Sequence, residues 1–175
     1  MNIRLLQREE IPLLWQIDRR ELVENIYYLE DGKFLLKPDY FDIQGWPPGE
    51  AELYTPRLLD CYDRGGTFWG VFEKDLLVGA AILESKFIGS QHDTLQLKFL
   101  HVSHDYRKRG IASTLFNLAV EKAKELEAKK LYISATPSEH TINYYMRLGC
   151  VLAKEVDPEL FALEPEDIHL EYELL

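Results

Sequence analysis

Apolar residues along the chain follow two spacings, and these predict an alternation of strands and helices. Runs rich in Val, Ile, Phe and Leu at 67–73, 77–87 and 95–102 predict three strands. Helical spacing is clearest at 111–127, where apolar side chains recur every three or four positions. A short apolar run at 131–135 predicts a buried strand after that helix. This strand–helix–strand order indicates a parallel pair joined by a right-handed crossover.

The two ends of the chain carry weaker signals. The pattern predicts an opening strand at 3–6 and a helix over 9–26 that has acidic residues in its first turn. The stretch 27–49 contains several turn dipeptides, so it is predicted as an aromatic loop. The remaining predicted elements are helices at 50–64 and 138–148, with Ser138 as N-cap, and strands near 151 and at 168–172.

These elements together predict a single α/β domain with a mixed, twisted, mostly antiparallel sheet and helices on both faces. A hairpin over 67–87 supplies antiparallel pairing, and the crossover supplies a parallel pair. A chain of 175 residues suits one domain, and it is long enough to bury a core without disulfides. Cys61 and Cys150 show no metal-ligand spacing and are expected to be reduced thiols.

Charge and composition exclude several classes of protein. The formal net charge of -10 argues against nucleic-acid binding, while an acidic surface attracts cationic substrates. No apolar run has the length of a membrane span, and residues 1–5 lack a signal-peptide core, so a cytoplasmic protein is expected. The histidines show no metal-binding spacing, and no metal is predicted.

The most informative segment is the loop 107–110, Arg-Lys-Arg-Gly, which leads directly into the helix 111–127. Free backbone N–H groups at a helix N-terminus form an anion site, and three basic side chains add positive charge there. Gly110 leaves the backbone open to close approach by a phosphate. Neither GxGxxG nor GxxxxGK[ST] is present, which disfavours a dinucleotide fold and a P-loop. The segment predicts a phosphorylated cofactor; the alternative is a solvated basic turn.

Three segments carry a resemblance to a known family. Arg-Lys-Arg-Gly-Ile-Ala at 107–112 resembles the R/Q-x-x-G-x-G/A signature of the GNAT acetyltransferase superfamily. Leu-His-Val at 100–102 resembles the end of that family's central strand, and 141–150 resembles its second signature, a helix with an aromatic-tyrosine pair before Leu-Gly. Cys150 stands where the family usually has an aromatic residue. The resemblance covers residues 67–155 well and the first third only in outline.

The resemblance implies a cofactor site. Acetyl-CoA, as co-substrate, is expected in a V-shaped splay between the strand ending near Val102 and the strand 131–135. Its pantetheine arm is expected along the backbone of 101–102, and its pyrophosphate on the N–H groups of 109–113. Ser138 stands where the family often has Asn. The implied cofactor-binding residues are Leu100, His101, Val102, Arg107, Lys108, Arg109, Gly110, Ile111, Ala112, Ser113, Ser138 and Tyr145.

The resemblance also implies a general acid. Tyr145 matches the family tyrosine that donates a proton to the departing thiolate, and a phenol, neutral at pH 7, suits that task. The alternative is that Tyr145 packs with Ile142 and Leu148 on the same helix face.

The sequence leaves the identity of the general base open. Some relatives carry a carboxylate on the central strand, but the corresponding position here is Gln96, which cannot accept a proton. Glu84 on the neighbouring strand and His101 are the candidates, and an ordered water is the third.

These features predict an acetyl-CoA-dependent N-acetyltransferase that transfers acetyl directly to a primary amine of a small cationic molecule. Neither cysteine lies in a nucleophile motif, which disfavours a covalent route. The alternatives are a protein or peptide N-acetyltransferase and a non-catalytic acyl-CoA-binding regulatory module. The expected division is acceptor-shaping helices and loop at 1–66, an acetyl-CoA-binding core at 67–155 and a C-terminal strand at 156–175. A homodimer is the default assembly.

Aromatic and acidic residues of the first third are candidates for holding the acceptor, because ring faces and carboxylates both attract an ammonium group. The alternative is that the rings anchor the loop and the acids form a solvated face. The candidates are Tyr27, Tyr28, Tyr40, Phe41 and Trp46, together with Asp18, Glu21, Glu24, Glu30 and Asp31.

Overall fold

A seven-stranded sheet forms the centre of the protein, and a separate two-stranded hairpin lies beside it. The computed structural model describes residues 1–175. The strands are β1 (Asn2–Leu5), β2 (Glu21–Glu30), β3 (Lys33–Ile43), β4 (Thr67–Glu73), β5 (Leu76–Leu83), β6 (Thr94–Val102), β7 (Lys130–Ala135), β8 (Val151–Leu152) and β9 (Ile168–Glu173). The helices are α1 (Glu50–Asp63), α2 (Ile111–Glu125), α3 (Glu139–Leu148) and α4 (Pro158–Leu163), with 3₁₀ helices at Arg8–Gln16 and His104–Tyr106.

The order of strands confirms the predicted fold class. In the main sheet the strands lie in the order β1-β4-β5-β6-β7-β9-β8. Every neighbouring pair is antiparallel except β6 and β7, which run parallel and are joined through α2. The sheet is therefore mixed and mostly antiparallel, with one parallel pair at its centre.

Two apolar cores cover the two faces of the sheet. On one face α2 and α3 pack on the strands, with Leu115 and Ile142 fully buried. On the other face lie the 3₁₀ helix at 8–16 and α1, which bury Ile11 and Leu58. Burial of apolar side chains on both sides holds the sheet between two helical layers. None of the helices is long and apolar enough to cross a membrane.

The parallel pair at the centre of the sheet is short. β6 and β7 pair only from Thr94↔Lys130 to Gln96↔Tyr132, and no register is kept beyond that point. On its other side β6 continues to pair with β5 up to Val102, with a bulge at Lys98. The two strands therefore separate towards their carboxyl ends, which opens the sheet in a V.

The largest correction concerns residues 21–43, which form the β2–β3 hairpin where the end of a helix and a loop were predicted. Much of both hairpin faces is exposed, so its apolar residues do not alternate strictly, and their spacing resembled that of a helix. Asp31 and Gly32, at φ +50° and +73°, form the tight turn. An Asp-Gly pair is a strong hairpin signal, and it was the sequence cue to this element.

The predicted helix over 9–26 was wrong beyond its first half. A 3₁₀ helix covers Arg8–Gln16, and Ile17 is already extended. The next residue, Asp18, donates its backbone N–H to Ser103 Oγ at 2.8 Å and accepts from the N–H of His104 at 2.9 Å. These long-range hydrogen bonds replace the helical ones, and no local pattern encodes them.

The C-terminal segment contains a helix as well as the predicted strand. Asp157 caps α4 by accepting from the N–H of Leu160 at 3.0 Å, and Pro158 begins the helix. The strand predicted over 77–87 ends at Leu83, and the next residue, Glu84, keeps one backbone hydrogen bond to the Gln96 carbonyl while its side chain pairs with Arg64 and Lys98.

We expect Gly66→Ala to destabilise the protein. A Cβ on Gly66 lies 2.5 Å from Cys61 Sγ and 2.9 Å from the Cys61 carbonyl oxygen, and the backbone oxygen cannot yield. Overpacking of this kind costs about 1–3 kcal/mol, measurable as a lower urea midpoint. The control is Gly45→Ala, whose Cβ meets no atom within 4 Å and which we expect within about 0.5 kcal/mol of wild type. Equal stability of the two variants would contradict this packing.

Candidate active-site cleft

A cleft of about 950 Å³ opens where β6 and β7 separate. It joins the two faces of the sheet, because its walls include both the start of α2 and the segment before β2. Ten of the predicted site residues line it: Leu100, His101, Val102, Arg107, Lys108, Gly110, Ile111, Ala112, Ser113 and Tyr145. Arg109, Ser138 and Glu84 lie outside its lining.

The rim of the cleft at the start of α2 has the geometry of an anion site. Lys108 and Gly110 have φ of +63° and +81°, so the loop turns its backbone sharply just before the helix. No acidic residue lies in the first turn of α2, and a Cβ on Gly110 would meet nothing within 4 Å. The free N–H groups of this turn therefore face open space with no competing carboxylate.

Two of the predicted basic side chains are used within the protein. The guanidinium of Arg107 donates to the carbonyl oxygens of Val102 at 3.0 Å, Arg20 at 2.9 Å and Asp18 at 3.3 Å. Arg109 donates to the Asp105 carbonyl at 3.0 Å. These side chains shape the loop and tie it to the segment before β2, which leaves the exposed Lys108 as the free cation.

Ser138 begins α3 as predicted but turns away from the cleft. It is buried, and its hydroxyl donates to Thr141 Oγ1 at 2.9 Å. It also forms a bridge with Ile26 of the hairpin, so this position serves the attachment of β2 to α3.

His101 lies on the face of β6 that carries the 3₁₀ helix at 8–16 and α1. Its ring packs edge-on against Trp46 and Phe99, with centroids 5.0 and 4.6 Å away. Loss of hydration, and the charges of Arg19 and Arg107, lower the pKa of His101 to about 3. The imidazole is therefore neutral at physiological pH and a weak base.

Tyr145 lies on the opposite, α2-covered side of the cleft. It is buried at 7% exposure within the core, and burial raises the pKa of its phenol well above the usual value. Its neighbour Tyr144 is half-buried, and the Tyr144 hydroxyl lies 3.0 Å from Ser113 Oγ. Tyr145 therefore keeps its proton at neutral pH, as a proton donor requires.

Glu84, a candidate base, is engaged elsewhere. Arg64 donates to both of its carboxylate oxygens, at 3.0 and 2.6 Å, and Lys98 lies 3.5 Å away. Burial raises its pKa, but the Arg64 hydrogen bonds and the Lys98 charge outweigh that effect and lower it to about 2. A carboxylate held this way stabilises the end of β5 and has little tendency to take a proton.

The structure brings together a further group that sequence reasoning missed. Ser134 of β7 lines the cleft, and its hydroxyl donates to Asp167 Oδ2 at 3.0 Å. Burial is the main cause that raises the pKa of Asp167 to about 6, and the Glu164 charge adds to it. The sequence held one signal: Ser134 is a small polar residue between the apolar residues Ile133 and Ala135.

The candidate acceptor residues of the first third are divided by the structure. Glu21 lines the cleft, and Trp46 packs on His101 while donating its indole N–H to the Ile17 carbonyl. Tyr27 donates to Asn143 Oδ1 at 2.6 Å, which anchors the hairpin to α3. The exposed rings on the hairpin are Tyr28, Tyr40 and Phe41. No group of three or more His, Cys, Asp or Glu is arranged to hold a metal ion.

Solved structures share this fold over nearly the whole chain. Nourseothricin acetyltransferase is 14% identical with a TM-score of 0.72, covering 99% of this chain and 98% of that one. A GNAT-family acetyltransferase from Staphylococcus aureus Mu50 is 17% identical, with a TM-score of 0.66 and 99% coverage of both chains. The PaiA N-acetyltransferase of Thermoplasma acidophilum, solved in complex with coenzyme A, is 15% identical, with a TM-score of 0.63 and 99% coverage of both.

A comparison of the sequence with protein-family profiles points to the same class of acetyltransferases. The profile of the acetyltransferase (GNAT) family matches residues 23–150, which is most of the chain. A search of curated proteins finds no significant match. The chain belongs to the GNAT family of acetyltransferases, as its two signatures indicated.

We expect Glu84→Gln to lower the free energy of unfolding at pH 7 by about 1–3 kcal/mol, because it leaves the Arg64 guanidinium without its carboxylate. The pKa of Glu84 is lowered in the folded state, so its contribution is present above the unfolded value near 4.5 and is lost as the pH falls towards 2. Urea unfolding at pH 7 and pH 3 measures this. The control is Glu24→Gln, at an exposed position of β2, and a pH-independent difference for Glu84→Gln would contradict the argument.

Proposed function

We propose that the protein is an acetyl-CoA-dependent N-acetyltransferase that transfers acetyl directly to a primary amine of a small cationic molecule. The observation that carries this proposal is the separation of β6 and β7 beside the open N-terminus of α2. Acetyl-CoA supplies the activated acyl group. Family membership supports the reaction class, and the nourseothricin acetyltransferase fold supports a small-molecule acceptor.

The cofactor fit rests on two features of the cleft. Beyond Gln96, β6 has no partner strand on its β7 side, so backbone groups of this edge other than the Val102 carbonyl, which accepts from Arg107, are available to an extended pantetheine arm. The backbone N–H groups of 109–113 and the side chain of Lys108 are available to the pyrophosphate. The polar backbone of both segments fits the two polar parts of coenzyme A.

Tyr145 is proposed as the general acid. Its buried phenol lines the cleft and is neutral at pH 7, so it holds a proton for the departing thiolate. A direct transfer also agrees with the cysteines, because Cys61 and Cys150 are buried and burial raises the pKa of both thiols to about 12. Two buried free thiols suit a reducing, cytoplasmic setting.

The division of labour along the chain is part of the proposal. Residues 1–66 shape the acceptor side, which is the face of the sheet that carries the 3₁₀ helix at 8–16 and α1. Residues 67–155 bind acetyl-CoA, and 156–175 contribute β9. A cationic substrate is supported by the carboxylate of Glu21, which lines the cleft, and by the net charge of -10.

We expect Gly110→Asn to weaken coenzyme A binding at least about tenfold, because the new side chain occupies the open space above the α2 N-terminus. Asn tolerates the left-handed conformation, so the loop is expected to keep its shape. Gly32→Asn is the matched control: it has φ +73° and equally open space, but it lies at the hairpin turn. Calorimetric titration with coenzyme A measures both, and unchanged affinity in Gly110→Asn would move the phosphate site elsewhere.

We expect Tyr145→Phe to lower kcat by about 10²–10⁴-fold with little change in coenzyme A affinity, because only the donated proton is lost. The measurement is thiol release from acetyl-CoA with polyamines, aminoglycosides, amino acids and short peptides. Tyr144→Phe, which removes the neighbouring hydroxyl, is expected to lower kcat less than about tenfold. Full turnover in Tyr145→Phe would exclude it as the acid, and a wild type that binds acetyl-CoA but acetylates no amine would indicate a non-catalytic module.

A further inference from the structure

On the acceptor side of the cleft, the wall contributes a hydroxyl, that of Ser134, which is bonded to a carboxylate behind it, that of Asp167. Ser134 lies on β7 two residues past the last parallel pair, Gln96↔Tyr132, where the strands have begun to separate. Its neighbours Ile133 and Ala135 are buried in the core beneath α2. Side chains alternate along a strand, so Ser134 points to the acceptor side, where its Oγ donates to Asp167 Oδ2 at 3.0 Å.

We propose that Ser134 and Asp167 together receive the proton that the acceptor amine loses during acetyl transfer, with Asp167 acting through the Ser134 hydroxyl. This inference rests on the proposed function, since it assigns the base of that reaction. Ser134 lies across the cleft from Tyr145: the phenol is on the α2-covered side, and Ser134, with Asp167 behind it, is on the acceptor side. An amine entering from the acceptor side therefore meets a proton acceptor there and has a proton donor beyond the thioester.

These groups account for every proton that moves during acetyl transfer. The amine nitrogen forms a bond to the thioester carbonyl carbon, and the carbon–sulfur bond breaks. The nitrogen gives one proton to Ser134 Oγ while the Ser134 hydroxyl proton passes to Asp167 Oδ2. The sulfur takes the Tyr145 phenol proton, and solvent later removes the proton from Asp167 and returns one to Tyr145.

The surroundings of Asp167 keep its affinity for a proton close to what a base needs at neutral pH. Burial and the charges of Glu164 and Glu166 raise the pKa of Asp167 to about 6, while Ser134 and Arg19 oppose that shift. Helix α1 places further ionisable groups near this cluster. Tyr54 of α1 donates to Glu164, and Glu50 of α1 lies near both Glu164 and Arg19. Asp167 is ionised at pH 7 yet retains appreciable basicity.

The other candidates do not combine these properties. Arg64 and Lys98 hold the pKa of Glu84 near 2, and both oxygens of that carboxylate accept hydrogen bonds from Arg64. His101 is in the cleft, but its pKa is lowered to about 3. A partly buried carboxylate beside other carboxylates also destabilises the fold, so Asp167 is poorly explained as a stabilising residue.

The test compares Asp167→Asn with Glu159→Gln, which removes the same charge from an exposed residue of α4. Each is assayed from pH 5 to 9 by thiol release with the amine that reacts fastest in the panel. We expect Asp167→Asn to lower kcat/KM at pH 8 by about 10²–10³-fold and Glu159→Gln to change it by less than about threefold. Since Asp167 must be ionised to act, the ratio of wild type to Asp167→Asn should fall as the pH drops below about 6. Using this ratio cancels the titration of the amine itself.

Two further measurements separate this role from a structural one. Ser134→Ala should lower kcat/KM comparably, and the double variant should be no worse than either single one, because the pair acts as a unit. The folded-state pKa of Asp167 is raised, so its ionised form costs stability above about pH 6. Asp167→Asn should therefore melt no lower than wild type at pH 8 while losing turnover, with coenzyme A affinity unchanged.

The outcomes separate a failure of this inference from a failure of the proposed function. An active wild type whose rate is matched by Asp167→Asn at every pH overturns this inference and leaves the proposed function standing. Additive losses in the double variant overturn the coupling of Ser134 to Asp167. A wild type that acetylates no amine refutes the proposed function, and the inference falls with it.

Discussion

The structure depends on the early end of a single strand pairing. β6 and β7 share three residue pairs and then separate, although each continues to pair with its outer neighbour. Buried backbone groups need partners, so the unpaired edges of the two strands call for a ligand with donors and acceptors of its own. The opening also connects the two faces of the sheet, so the start of α2 and the segment before β2 meet at one cleft.

The N-terminal third is held to this opening by hydrogen bonds distant in sequence. Arg107 donates to three carbonyls, two of them in the segment that precedes β2, and Ser103 accepts from the Asp18 N–H. The basic loop that binds phosphate in the proposal is thus also the element that positions the acceptor side. One signature segment therefore couples the shapes of both halves of the cleft.

Two carboxylates illustrate how environment assigns roles. Glu84 and Asp167 are both partly or fully removed from water, which raises a carboxyl pKa. Arg64 and Lys98 lower the pKa of Glu84 to about 2. Asp167 lies near other acidic residues, and its pKa is raised to about 6. The sequence suggested Glu84 as a base because it lies on the strand next to β6. Whether a carboxylate forms a structural ion pair or can accept a proton depends on the charges packed around it, and only the tertiary structure defines those.

The sequence by itself determined the elements whose chemistry is local. The spacing of α2, the Gly110 turn, the strand–helix–strand order and the second signature around Tyr145 were all readable, because periodicity, glycine conformation and motif spacing act over a few residues. The hairpin at 21–43 was missed because its exposed faces carry no strict alternation, although its Asp-Gly turn was visible. Only the tertiary structure decided that Arg107 serves the fold, that Glu84 is paired, and that Ser134 meets Asp167 from 33 residues away. Such contacts arise when β9 pairs with β7, and no local pattern records which side chains that pairing brings together.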